Sequence, residues 1–212
     1  MAQIMTATKR TSGRGRPRQF NLETVLERAV ETFSGRGYHG TSMAELAAAM
    51  GITWGSLYKA FTDKHTLFLA AFDYYAKTRL ELLRNQISFK LTGREKLYEV
   101  LMFYVEASHG ITGKKGCLAV TVAAELATYD EDVAKRVRSA FLQTEQIVYE
   151  TLLVGQEDGS ISKSLDAKVA ARYLLCFLKG MRIVGTLAPT RTELEEGVKL
   201  AMTSIPSIEK SF

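Results

Sequence analysis

From residue 21 onward the chain places its apolar residues at helical spacing almost without a break. Leu22, Val25, Leu26, Ala29, Val30 and Phe33 form one stripe, with Asn21 where an N-cap belongs and Gly35 and Gly37 closing the segment. A short second helix is predicted from Ser42, where Ser42 and Glu45 have the spacing of a capping box, and it ends at Met50-Gly51. Thr53 then caps a third helix in which Leu57 and Phe61 lie four apart and face back onto Leu46, Ala47, Met50 and Ile52. Two short helices joined by a tight glycine turn over residues 42–61 have the form of a helix-turn-helix, whose second member can enter a DNA major groove.

The pattern continues into the second half. Leu67, Phe68, Ala71, Phe72, Tyr75 and Leu82 predict a long helix from Asp63 to about Gln86. Thr92 caps a further helix carrying Leu97, Val100, Leu101, Tyr104 and Val105, which stops at His109-Gly110. Residues 113–118 break the pattern and lead into an apolar helix over 117–127. A long stripe from Asp130 runs to Gly155, and residues 156–162 are the clearest loop. Residues 166–188 are apolar nearly all round, interrupted by Asp166, Lys168, Arg172, Lys179 and Arg182. Such a helix needs burial on two sides: core on one and a second copy of the chain on the other, with 190–203 completing the contact. The internal basic residues argue against a membrane span.

Charge sharpens this picture. The chain of 212 residues carries 28 Lys plus Arg against 23 Asp plus Glu, a net charge of +5. Residues 1–20 hold Lys9, Arg10, Arg14, Arg16 and Arg18 and no acid, so the rest of the chain balances at 23 against 23. Arginines spaced by Gly and Pro suit a minor groove beside a helix-turn-helix footprint, and the alternative use of such a tail is simply a solubilising one.

The segments Gly-Arg-Pro-Arg-Gln-Phe at 15–20, Arg-Gly-Tyr-His-Gly-Thr-Ser at 36–42 and Gly-Ile-Thr-Trp-Gly-Ser-Leu-Tyr-Lys-Ala-Phe-Thr-Asp-Lys at 51–64 resemble the N-terminal domain of TetR/AcrR-type transcriptional regulators over about residues 15–75. The resemblance implies an all-α homodimer of about nine helices. Its parts would be a basic arm at 1–18, a helix-turn-helix DNA-binding domain at 19–79, and a helical effector-binding and dimerisation domain at 80–212. It also implies a probe of the duplex by Tyr58 and Lys64 at phosphates, with Thr41, Thr53, Gly55 and Ser56 at backbone or base edges. Ser42, Lys59 and the arm residues Arg14, Arg16 and Arg18 complete the expected DNA surface. Trp54 departs from the lysine common at its position; its indole either packs on a thymine methyl or sugar, or braces the helix. The expected function is a ligand-responsive repressor on a palindromic operator, and the alternative is a constitutive architectural DNA-binding protein that uses the arm.

Enzyme chemistry finds no footing. The chain has no Gly-rich phosphate loop, no Cys-x-x-Cys, no His-Glu-x-x-His and no nucleophile elbow, and no metal or cofactor is expected. Two cysteines and no apolar leader point to the reducing cytoplasm. A pocket for a small-molecule effector is expected among Phe72, Tyr75, Leu101, Tyr104, Cys117, Leu118, Thr121, Phe141, Glu145, Tyr149 and Phe177, although stripes at this spacing also serve as plain core. Cys117 follows Lys114 and Lys115 at a helix start, where basic neighbours and the helix dipole favour thiolate. It is a candidate sensing thiol for electrophiles, with His109 nearby; the other reading is a small buried hydrophobe.

Overall fold

The computed structural model describes residues 21–207. They form ten α-helices: α1 (Leu22–Arg36), α2 (Met43–Met50), α3 (Trp54–Ala60), α4 (Lys64–Ser88), α5 (Gly93–Ser108), α6 (Gly110–Lys114), α7 (Leu118–Glu125), α8 (Glu131–Glu157), α9 (Ala167–Val184) and α10 (Arg191–Thr203). A 3-10 turn at Gly185–Leu187 closes α9. The nine helices predicted by hydrophobic spacing are present, and an additional short helix, α6, lies between the predicted stop at His109-Gly110 and the expected break at 113–118, overlapping the break only at 113–114.

The boundaries follow from capping chemistry. Asn21, Ser42, Thr53, Asp63, Thr92, Asp130, Asp166 and Thr190 each accept a backbone N–H of the first turn with their side chains, which satisfies donors that the helix cannot. Three are complete capping boxes, Ser42 with Glu45, Thr92 with Glu95 and Thr190 with Glu193. Gly51 takes the left-handed conformation (φ 66°, ψ 30°) that turns α2 into α3, where a side chain would be strained.

Two apolar cores organise the helices. One contains Phe33, Leu46, Leu57, Leu67, Phe68 and Phe72 of α1–α4, and continues into Leu118 and Val122 of α7 and Val133 and Val137 of α8. The other joins α5, the distal part of α8, α9 and α10 through Leu97, Leu101, Val148, Leu152, Leu174, Leu178 and Val198. Helix α1 is packed directly onto α7. Phe72 and Leu118 sit in the first core and Leu101 in the second, so these three expected pocket residues are core: each is almost wholly enclosed by neighbouring side chains. Along α4 the inward side chain near its end is Leu83, while Leu82 is half exposed.

Close backbone approach sets the floor of the second domain. A Cβ at Gly113 or at Gly185 would fall inside the carbonyl group of Ser108, so only glycine lets α5, α6 and the end of α9 meet there. That junction fixes Ser108 against Arg182 of α9 (Oγ to Nη1, 3.4 Å).

The capping carboxylates make stability depend on acid pH. Backbone and hydroxyl hydrogen bonds from Ser42, Thr66, Thr92 and Thr190 hold Glu45, Asp63, Glu95 and Glu193 below their ordinary values of 4.5 for glutamate and 3.8 for aspartate. Their folded values lie below their unfolded ones, so their contribution is complete above about pH 5 and is lost as pH falls through the folded values. The thermal midpoint followed by circular dichroism should therefore fall as pH drops below about 4.5. A midpoint that holds or rises on acidification to about pH 3 would contradict this.

Candidate nucleic-acid interface and effector cavity

The first three helices present one outward face. Leu57 and Phe61 point into the core, so the opposite side of α3 turns Thr53, Trp54, Gly55, Tyr58 and Lys59 to solvent, with Ser56 half-buried. Trp54 is 49% and Tyr58 42% exposed, and their rings stand 5.0 Å apart at an interplanar angle of 51°. The indole thus braces Tyr58 and still offers an edge to the outside. Thr53 shares its hydroxyl with Ser56 (2.9 Å), and Ser42 donates to Glu45 (2.8 Å), so both serve first as caps.

Thr41 differs from expectation. It is buried, and its hydroxyl donates to the Gly37 carbonyl at 2.8 Å, so it is no surface contact. It instead supplies a carbonyl to Lys64, whose ammonium donates to Thr41 (3.0 Å) and Tyr38 (3.1 Å) and lies 4.2 Å from the centre of the Tyr38 ring. With three donors and two carbonyls, one N–H of Lys64 remains for an outside acceptor. Arg14, Arg16 and Arg18 lie outside the described residues.

This head is tied to the rest of the molecule by charged groups. Glu125, the last residue of α7, accepts the backbone N–H of Tyr38 (3.0 Å) with one oxygen and of His39 (2.8 Å) with the other. His65 meets Asp130 at 2.7 Å, Arg136 meets Asp73 at 2.9 Å, and Lys115 meets Glu31 at 3.6 Å. The Asp73, Glu31 and Lys115 side chains are well exposed, and such pairs contribute little singly. Glu125 is different in kind, because it satisfies two backbone donors in the loop between α1 and α2.

At the other end of α7 lies a cavity of about 40 Å³, walled by α4, α5, α8 and α9 and by Cys117, the residue that precedes α7. Of the expected pocket residues, Tyr75, Tyr104 and Cys117 line it. Phe141 stands behind it with its ring 4.7 Å from the Lys179 ammonium. Glu145 and Tyr149 face a surface groove along α8 and α9, where Glu145 pairs with Arg172 at 2.8 Å. Phe177 packs toward Gly197 of α10, and Thr121 lies toward the Gly116 loop. Sequence reasoning missed the cavity's most distinctive members, Arg79, Lys179 and Arg182. Lys179 and Arg182 were visible as cations interrupting an apolar helix, and that was the available signal.

Cys117 is buried, with its sulfur 3.1 Å from the Tyr75 hydroxyl. Burial pushes the thiol up, but the charges of Arg182 and Lys179 and the Tyr75 hydrogen bond outweigh it, and the net direction is below the ordinary thiol value. Burial and the adjacent sulfur push Tyr75 well above its ordinary value, so Tyr75 keeps its proton and donates to the sulfur. His109 turns to Glu106 instead (3.1 Å), and Lys115 is drawn off to Glu31. The cations that favour thiolate therefore come from α9, not from the sequence neighbours. Among the described residues no His, Cys, Asp and Glu cluster could hold a metal ion, and no helix is long and apolar enough to cross a membrane.

Comparison with known proteins agrees with this geometry. Residues 25–71 match the model of bacterial regulatory proteins of the tetR family, and residues 93–199 match the tetracyclin repressor-like C-terminal domain. The transcriptional repressor ComR of Escherichia coli strain K12 is 28% identical over 197 residues, covering 91% of this chain and 90% of ComR. A cysteine-substituted form of the regulator CifR, solved with a 26-base-pair operator duplex, superposes with a TM-score of 0.81 at 29% identity, covering 90% of this chain and 100% of that one. The reduced form of Escherichia coli NemR shares the fold (TM-score 0.75, 21% identity, 88% and 97% covered). These relatives are transcriptional regulators and not enzymes. With both halves of its length matched and the helix-turn-helix face outward, this chain belongs to the tetR family of DNA-binding bacterial transcriptional regulators.

Proposed function

We propose that this chain is a ligand-responsive repressor that binds a palindromic operator as a homodimer in the cytoplasm and is released when Cys117 in the cavity is modified. One observation carries the reading: α7 begins at the Cys117 thiol and ends at Glu125, which holds the head by two backbone donors. Eight residues of helix span about 12 Å, so a change at the sulfur and a change at the head are two ends of one short rod. Alkylation of the sulfur enlarges a side chain that is already enclosed by its neighbours. The tightly enclosed start of α7 then has to shift. Helix α4 adds a second connection, since Lys64 stands at its head end while Tyr75 and Arg79 line the cavity.

Homodimerisation is supported by a band on α9. Val169, Tyr173, Cys176, Gly180, Ile183 and Leu187 recur at intervals of three and four, and the five with larger side chains are exposed. The exposed Leu200 of α10 extends it, which matches residues 166–203 as the contact. A two-fold pair would present two α3 helices to successive major grooves. The DNA surface of each would be Ser42, Thr53, Trp54, Gly55, Ser56, Tyr58, Lys59 and the remaining donor of Lys64, together with the Arg14, Arg16 and Arg18 arm. The constitutive architectural reading leaves a thiol in a cationic cavity without a use. It would also give a footprint with little sequence preference.

Tyr58→Ala should weaken operator binding about tenfold in a fluorescence-anisotropy titration at fixed salt, with little change in thermal midpoint because the ring is surface-exposed. Unchanged affinity would remove α3 from the interface. Treatment of the wild type with N-ethylmaleimide should dissociate the operator complex, whereas Cys117→Ser should bind operator normally and resist the reagent. Equal release of both proteins would end the sensing role of Cys117.

A further inference from the structure

We propose that the cavity is also an anion site, which takes a small carboxylate with a short apolar group. The proposal rests on the reading of this cavity as the effector site. Its wall holds three cations, Arg79, Lys179 and Arg182, and no Asp or Glu. None of the three belongs to an ion pair among the described residues.

Each cation makes do with neutral partners. Arg182 is only 5% exposed and donates to the Ser108 hydroxyl and the Gly116 carbonyl. Lys179 reaches the hydroxyls of Tyr104 (3.2 Å) and Thr144 (3.4 Å) and lies 5.1 Å from the Tyr104 ring centre. The Arg79 guanidinium lies 4.2 Å from the centre of the Phe103 ring. Aromatic faces and hydroxyls are weak substitutes for a carboxylate, and buried positive charge without a counter-ion is costly. Cys117 supplies at most one negative charge against three positive ones, which leaves a net attraction for a further anion.

The remaining wall sets the rest of the ligand. Ala76, Leu80, Leu83 and Phe103 give the wall an apolar part. A volume of about 40 Å³ admits a carboxylate and little more before side chains must move aside, so the ligand is a short amphiphile and not a long acyl chain. Arginine presents the paired donors that a carboxylate takes up, which favours this group over a neutral amide of the same shape.

The test uses the full chain and four probes: butyrate and benzoate, and their neutral counterparts butyramide and benzamide, at constant ionic strength. Butyrate or benzoate should raise the thermal midpoint by roughly 5 °C or more at a hundredfold excess over its dissociation constant, and the amides should not. Lys179→Gln and Arg79→Gln should each weaken carboxylate binding about tenfold, two variants being used so that one that misfolds does not decide the matter. Carboxylates that shift the midpoint no more than their amides would overturn the anion site while leaving the regulator reading intact if operator binding and its release by N-ethylmaleimide persist. A carboxylate-specific shift in a protein that binds no operator would uphold the site and sink that reading instead.

Discussion

The grip of Glu125 on the Tyr38 and His39 amides is the contact on which the two halves of the molecule depend as a working unit. Those two amides lie in the loop between α1 and α2, beside Gly37, whose left-handed backbone (φ 73°) leaves no room for a side chain against the Glu125 carboxylate. The same loop gives Lys64 its two carbonyls, so α4 and α7 hold the head through one short stretch of backbone. The first apolar core runs without interruption from α1 into α7 and α8.

At the far end of α7 the constraint is electrostatic. Three cations, a thiol and two tyrosines share a small cavity, and no carboxylate neutralises them. In the proposed reading, an exogenous anion and modification of the sulfur act at the same place. In that reading no long-range pathway is needed, because the connecting helix is eight residues long.

The helices were legible because their ends are written in local chemistry. Ser42 with Glu45, Thr92 with Glu95, and Gly51 in its left-handed turn each fix a boundary by side chains within four residues of one another. The outward face of α3 followed from the inward Leu57 and Phe61 by helix geometry alone. Thr41 went astray because its burial is decided by Gly37 and by the packing of α1, neither of which sequence spacing reports. The cavity was only partly legible for the same reason. Tyr75, Cys117 and Lys179 are far apart in the chain and meet only once α4, α7 and α9 have packed, while Phe72, Leu101 and Leu118 carry the same hydrophobic signal and face the cores.

Coupling through α7 is tested most directly by residue-resolved amide hydrogen exchange of the wild-type protein before and after reaction of Cys117 with N-ethylmaleimide. The account predicts that the Tyr38 and His39 amides, protected by Glu125 in the unreacted protein, exchange at least about tenfold faster afterwards, while amides within α2 and α3 keep their rates. Unchanged protection at Tyr38 and His39 in a protein that has nonetheless let go of its operator would contradict it.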